Sequence, residues 1–240
     1  MNAQPLSDSP AVTDADLLAA WRHGDAGAFD LLYARHRAPV YGFLLRLLGN
    51  RALADDVHQD LWLQVIERAG DFRAGGNVRT WLFTLARSRA LDRLRREAVR
   101  DGARGRNPDA RAYRIDPESR TAAYTSHEAG SDEAISDEAG LPDAVLGESV
   151  LGQAGRGALG AGDAPAEARL QGERAALLQR ALAQLPEEQR LVFLMHEEGD
   201  LSLPEAAAAL GIPYETARSR YRYALGRLRD FFGLGADTKR

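Results

Sequence analysis

The chain has 240 residues, 45% of them hydrophobic and 28% charged, with no cysteine and a formal net charge of −4. That length allows one or two domains with a sizeable core, and the lack of cysteine excludes disulfides, thiolate nucleophiles and cysteine metal sites. No stretch reaches the roughly 20 apolar residues of a membrane helix, and the opening MNAQPLSDSP has no basic segment followed by an apolar run, so a cytoplasmic chain without membrane insertion is expected.

In chain order, Thr13 and Asp16 are spaced to cap a short first helix. Gly24-Asp25 opens a longer helix through Phe29, Leu32, Tyr33, Val40, Phe43 and Leu47, which ends at Gly49 and which Pro39 is expected to kink or break. Asn50 caps a third helix, in which Leu53, Val57, Leu61 and Val65 form a buried stripe and Asp56, Gln59 and Asp60 a polar one. After the loop of residues 71–77, a fourth helix is expected from about Val78 to Val99. Its first turns, VRTWLFTLA, are apolar nearly all round. Further on, Phe83, Ala90, Leu91 and Leu94 keep one apolar face while Ser88, Asp92, Arg95 and Arg96 line the other, an arrangement that can lie along nucleic acid with arginines on phosphates.

Residues 101–165 are rich in Gly, Ala, Ser and acidic side chains with no sustained periodicity, the composition of a disordered linker, with a short helix possible around 143–151. The net charge hides this division. Residues 116–167 hold eleven acidic residues against Arg120 and Arg156, a net of −9, whereas residues 73–114 hold twelve arginines against four acidic residues, a net of +8. The overall acidity therefore does not exclude a nucleic-acid partner for the rest of the chain.

Helices resume near Ala166, and Pro186 begins PEEQRLVFLMHEE, whose core candidates are Leu191, Val192, Leu194 and Met195. Next comes the most informative stretch, SLPEAAAALGIPYETARSRYRYALGRLR at 202–229. Ser202 and Glu205 form an S-x-x-E capping box with Pro204 in the first turn. Gly211 supplies a left-handed stop, and Pro213 is placed in the first turn of a second helix. On that helix Ala217, Tyr221, Leu225 and Leu228 face inward, while Glu215, Arg218, Ser219 and Arg222 share the outer face. An arginine there can fork onto guanine in a major groove.

Other chemistry is poorly supported. His23, His36, His58, His127 and His196 are scattered, His196-Glu197 lacks the second histidine of an HExxH zinc site, and no glycine-rich phosphate loop is present, so neither catalysis nor a cofactor or metal is expected. A dimeric helix-turn-helix repressor would account for residues 202–229 but not for the arginine-faced fourth helix. An interaction adaptor would not need two base-reading faces.

GDAGAFDLLYARHRAPVYGF, ADDVHQDLW, RTWLFTLARSRALDRLRRE and LPEEQRLVFLMHEEGDLSLPEAAAALGIPYETARSRYRYALGRLR resemble, in the same order, the signature stretches of bacterial RNA polymerase sigma factors of the extracytoplasmic-function (ECF) class of the sigma-70 family. The resemblance implies an all-α protein of two small helical domains: a region 2 bundle at 12–99 and a region 4 helix-turn-helix at 167–233, joined by a long flexible acidic linker at 100–166. It implies core RNA polymerase, promoter DNA and an anti-sigma factor as partners. Asp56, Gln59 and Asp60 match the motif that contacts the polymerase clamp. Asn77, Arg79, Trp81, Ser88, Asp92, Arg95 and Arg96 match the minus-ten reader, with Trp81 either a melting wedge or, by its apolar neighbours, a core residue. Tyr214, Glu215, Arg218, Ser219, Arg222 and Tyr223 match the minus-thirty-five reader. Ser88 stands where many members have Asn, which implies a different minus-ten base preference, and Tyr223 stands where a basic residue is common.

Overall fold

A computed structural model describes residues 12–73, 75–103 and 164–234; the acidic stretch and the possible helix at 143–151 lie outside these. Among the described residues all regular structure is helical: α1 (Asp14–Arg22), α2 (Ala26–Leu48), α3 (Arg51–Arg68), a 3-10 turn (Ala69–Asp71), α4 (Val78–Ala103), α5 (Ala164–Ala183), α6 (Glu187–Glu197), α7 (Leu203–Leu210) and α8 (Tyr214–Phe231).

The helix ends follow from local signals. Thr13 and Asp16 form a reciprocal capping box on α1, Asn50 Oδ1 accepts the Leu53 amide at 3.2 Å, and Ser202 and Glu205 form a second box on α7. Gly49 and Gly211 adopt left-handed conformations (φ 65° and 66°) that stop α2 and α7, a region glycine enters without Cβ penalty. Two expectations need correction. Of the kink or break expected at Pro39, the break does not occur: α2 runs on through it, because Leu32, His36, Val40 and Phe43 on either side of it are buried and tertiary packing offsets the hydrogen bond that proline removes. Pro213 is the N-cap of α8 and precedes its first turn. The fourth helix also runs four residues past Val99, to Ala103.

In the first block α1 packs on α2, α2 on α3, and α2 and α3 on α4, around Leu32, Phe43, Leu44, Leu61, Leu82 and Phe83. In the second block α6, α7 and α8 pack together over a small cluster of Val192, Leu203, Ala207 and Ala217. The blocks are not independent. α4 contacts α7 and α2 contacts α6, and one apolar cluster runs from Leu18 and Phe43 of the first block to Leu182, Phe193, Leu194 and Met195 of the second. Burial of side chains this size contributes roughly 1.5–3 kcal/mol each, so the shared cluster is a real cohesive term between the blocks.

Candidate nucleic-acid interface

Three surfaces carry the residues singled out by sequence. The first is the outer face of α3. Asp56, Gln59 and Asp60 are exposed there, opposite the buried Val57, Leu61 and Val65, as the helical period requires. Asp56 also lies 3.4 Å from Arg93 of α4. Sequence reasoning missed the apolar part of this surface. Leu63 and Ile66, 52% and 42% exposed, border a shallow groove with Phe29, Tyr33, His58 and Trp62. The aromatic floor is interlocked, with the Tyr33 and Trp62 rings edge-to-face at 4.8 Å and Trp62 Nε1–H donating to His58 Nε2 at 3.0 Å. The available signal was that Leu63 and Ile66 fall off the inward stripe.

The second surface is the entry to α4 and its outer face. Asn77 caps the helix, its Oδ1 accepting the Thr80 amide at 3.1 Å, and its Nδ2 donates to Glu205 of α7. Arg79 donates to the carboxylate of Asp200 and to the Asp200 carbonyl at 3.1 Å. Both residues matched to the minus-ten reader by sequence thus face carboxylates of the second block. Trp81 is buried, only 8% exposed, with its ring against Phe72 at 5.6 Å, the packing its apolar neighbours implied. Ser88, Asp92 and Arg95 are half-buried and Arg96 is exposed, and Arg95 bonds Asp92 one turn back at 2.8 Å. Arg93, Arg95, Arg96 and Arg100 concentrate positive charge at the far end of the helix.

The third surface is the outer face of α8. Tyr214, Glu215, Arg218, Arg222 and Tyr223 are exposed, while Ser219 is partly covered and its hydroxyl donates to the Thr216 carbonyl at 3.0 Å. Arg218 lies 4.0 Å from Glu215, and the Arg222 guanidinium sits 5.7 Å from the Tyr223 ring centre. Ala217, Ala224, Leu225 and Leu228 hold the inner face. The exposed row can enter a major groove, where Arg218 and Arg222 are long enough to reach base edges.

Where the blocks meet, Arg46 of α2 bonds Glu198 after α6, with side chains only 4% and 3% exposed. Burial pushes the Glu198 carboxyl upward and Arg46 opposes that shift. Burial likewise raises Glu187, against Arg190, Arg87 and Arg95, and burial holds Arg87 below its usual value. Among the described residues no cluster of His and acidic side chains could hold a metal ion, and no helix is long and apolar enough to cross a membrane.

Comparison with known proteins accounts for this layout. Residues 32–100 match the model of Sigma-70 region 2 and residues 175–228 that of Sigma-70, region 4. The chain is 30% identical over 248 residues to the ECF RNA polymerase sigma factor SigM of Mycobacterium tuberculosis, covering 98% of both chains, and 29% identical to ECF sigma factor RpoE of Cereibacter sphaeroides, covering 86% and 87%. It is 37% identical to SigK of Mycobacterium sp. strain KMS, but there the match covers 48% of this chain and spans 58% of the relative's length. Two solved structures share the fold at a TM-score of 0.54: CnrH in complex with the cytosolic domain of CnrY, at 20% identity over 94% of this chain and 99% of that one, and Bartonella quintana RpoE in complex with the anti-sigma factor NepR, at 17% identity over 86% and 97%. The chain belongs to the ECF class of the sigma-70 family of RNA polymerase sigma factors.

Proposed function

We propose that the chain binds core RNA polymerase and directs promoter-specific transcription initiation by recognising minus-ten and minus-thirty-five elements. The observation that carries this reading is the pairing, in one chain, of an exposed arginine face on α8 with an acidic and apolar face on α3 that no base-reading role requires. A repressor acting alone needs the first and has no use for the second.

In this reading residues 12–99 engage the polymerase clamp and the minus-ten strand, residues 167–233 engage the minus-thirty-five duplex, and residues 100–166 tether them. Asp56, Gln59 and Asp60 meet basic residues of the clamp, with Leu63 and Ile66 supplying apolar contact area beside them. Asn77, Arg79, Ser88, Asp92, Arg95 and Arg96 serve the minus-ten strand. Tyr214, Glu215, Arg218, Ser219, Arg222 and Tyr223 serve the minus-thirty-five duplex. The chain acts in the cytoplasm with the polymerase, carries out no reaction of its own and needs no cofactor. An anti-sigma factor is a further expected partner, supported by its presence with a structural neighbour.

The test is charge reversal on α3. Asp56→Lys with Asp60→Lys alters exposed positions, where the effect on folding is about 0.5 kcal/mol or less; the Asp56–Arg93 pair is exposed and contributes little. Across an interface with a basic clamp, the same change places like charges together and costs on the order of several kcal/mol of association. The expected result is a normally folded protein that no longer co-purifies with core polymerase or supports transcription. Retained binding would remove the clamp assignment.

A further inference from the structure

The arginines of α8 differ in what holds them. Arg218, in the second turn, lies 4.0 Å from Glu215 of its own helix, and Arg220 is paired with Glu188 of α6. Arg222, in the third turn, is in no ion pair and donates no hydrogen bond among the described residues. Its guanidinium sits over the Tyr223 ring, 5.7 Å from the ring centre, within the reach of about 6 Å for a cation–π contact. Tyr223 is 58% exposed, so its ring adds little to the core. A carboxylate beside Arg222 would neutralise it and spend its donors. The ring does neither: it restrains the side chain and leaves the charge and the N–H fork for a ligand. One turn further on, Gly226 is exposed and shares that side of the helix, four residues from Arg222 and three from Tyr223. A Cβ there would meet nothing within 4 Å, so no packing within the described chain requires a glycine, which weakens a helix interior relative to alanine. What a bare turn supplies is room for close approach from outside.

We infer that Arg222, Tyr223 and Gly226 form a seat for one backbone phosphate of duplex DNA: Tyr223 is a positioning residue that holds the Arg222 guanidinium, and the bare turn at Gly226 lets the phosphate close on it. The inference rests on the assignment of α8 to the minus-thirty-five duplex, and it sorts the arginines of that helix. A recognition helix meets base edges through its N-terminal residues. Arg222 stands one turn beyond Arg218, about 6 Å further along the axis at about 1.5 Å per residue. Two phosphate oxygens match the planar fork of a guanidinium, and such a contact fixes the register of the protein on the duplex without reading its sequence. Loss of the seat therefore weakens every promoter alike, whereas loss of a base reader weakens them selectively.

The test uses the full chain with core polymerase and measures affinity for duplex promoters varied base by base in the minus-thirty-five element, at several salt concentrations. Tyr223→Leu is expected to weaken binding about two- to fivefold on every promoter, the worth of an exposed cation–π contact, while Tyr223→Phe, which keeps the ring, stays within about twofold of the unaltered chain. In an Arg222→Ala background, Tyr223→Leu is expected to cost nothing more. Arg222→Ala itself is expected to make the fall of log affinity with log salt shallower by about 0.9, one phosphate contact. Gly226→Ala is expected to raise the Tm by about 2–4 °C and yet weaken promoter binding, a combination that damage to the fold cannot produce. Tyr223→Phe as harmful as Tyr223→Leu, a Tyr223→Leu loss that persists without Arg222, an Arg222→Ala loss confined to one base position, or full-strength binding by Gly226→Ala would each overturn the inference. Loss of co-purification with core polymerase by these variants would also overturn it, by giving the residues to the polymerase. Failure of the promoter assignment itself looks different: the unaltered chain with polymerase shows no preference among promoters.

Discussion

The two surfaces proposed to face DNA are held in opposite ways. On α8 the arginine row stands clear of the first block, with Arg218 exposed and 4.0 Å from a glutamate of its own helix. At the start of α4, Asn77 and Arg79 are engaged by residues 128 and 121 positions away in sequence. A recognition surface that rests on one amphipathic helix is complete once that helix folds. One assembled from a loop and a helix start can be covered by whatever packs beside it. Access to the start of α4, proposed to serve the minus-ten strand, is therefore a property of the whole chain, and access to the row proposed for the minus-thirty-five element a property of α8.

The largest effect is expected from the pair beneath the join. Arg46→Ala leaves Glu198 uncompensated in the docked arrangement, a defect of about 3–5 kcal/mol for a buried ion pair. The chain can relieve it by undocking and returning Glu198 to water. Energy transfer between dyes on the two blocks, at the introduced cysteines Arg68→Cys and Asp230→Cys, is thus expected to fall while denaturant unfolding shows a loss smaller than that full penalty. Destabilisation by the full amount with the dyes still close would mean that the pair stabilises the fold without governing docking.

Arg218→Ala probes the open surface. If Arg218 forks onto a guanine, its loss costs about 1–3 kcal/mol and relaxes preference at one minus-thirty-five position, leaving energy transfer between the blocks unchanged. Transcription from promoters varied base by base in that element measures it. Equal loss on every variant would move Arg218 to the phosphate-contacting class.

How much of this was legible depended on how local the cause is. Thr13, Asn50, Ser202, Gly49 and Gly211 act through groups within a few residues of themselves, and the helix ends lie where those residues put them. The exposed rows on α3 and α8 follow from the helical period. Pro39 does not break α2 because burial on both sides of it offsets its local effect. Trp81 was ambiguous in sequence, and its burial comes from Phe72 in the preceding loop. The join between blocks was illegible, since Arg46 and Glu198 are 152 positions apart, across the acidic stretch, and nothing local links them. One signal was available: an arginine inside FLLRLL needs a buried partner, and a glutamate just after an apolar helix is a candidate.

The most direct measurement is transcription in vitro with core RNA polymerase on a library of random promoters, alongside duplex binding by the chain alone. The predicted result is initiation from a subset sharing two spaced elements, with weak duplex binding in the absence of polymerase. Tight, sequence-specific duplex binding by the isolated chain with no gain from polymerase, or no selected subset, would contradict it.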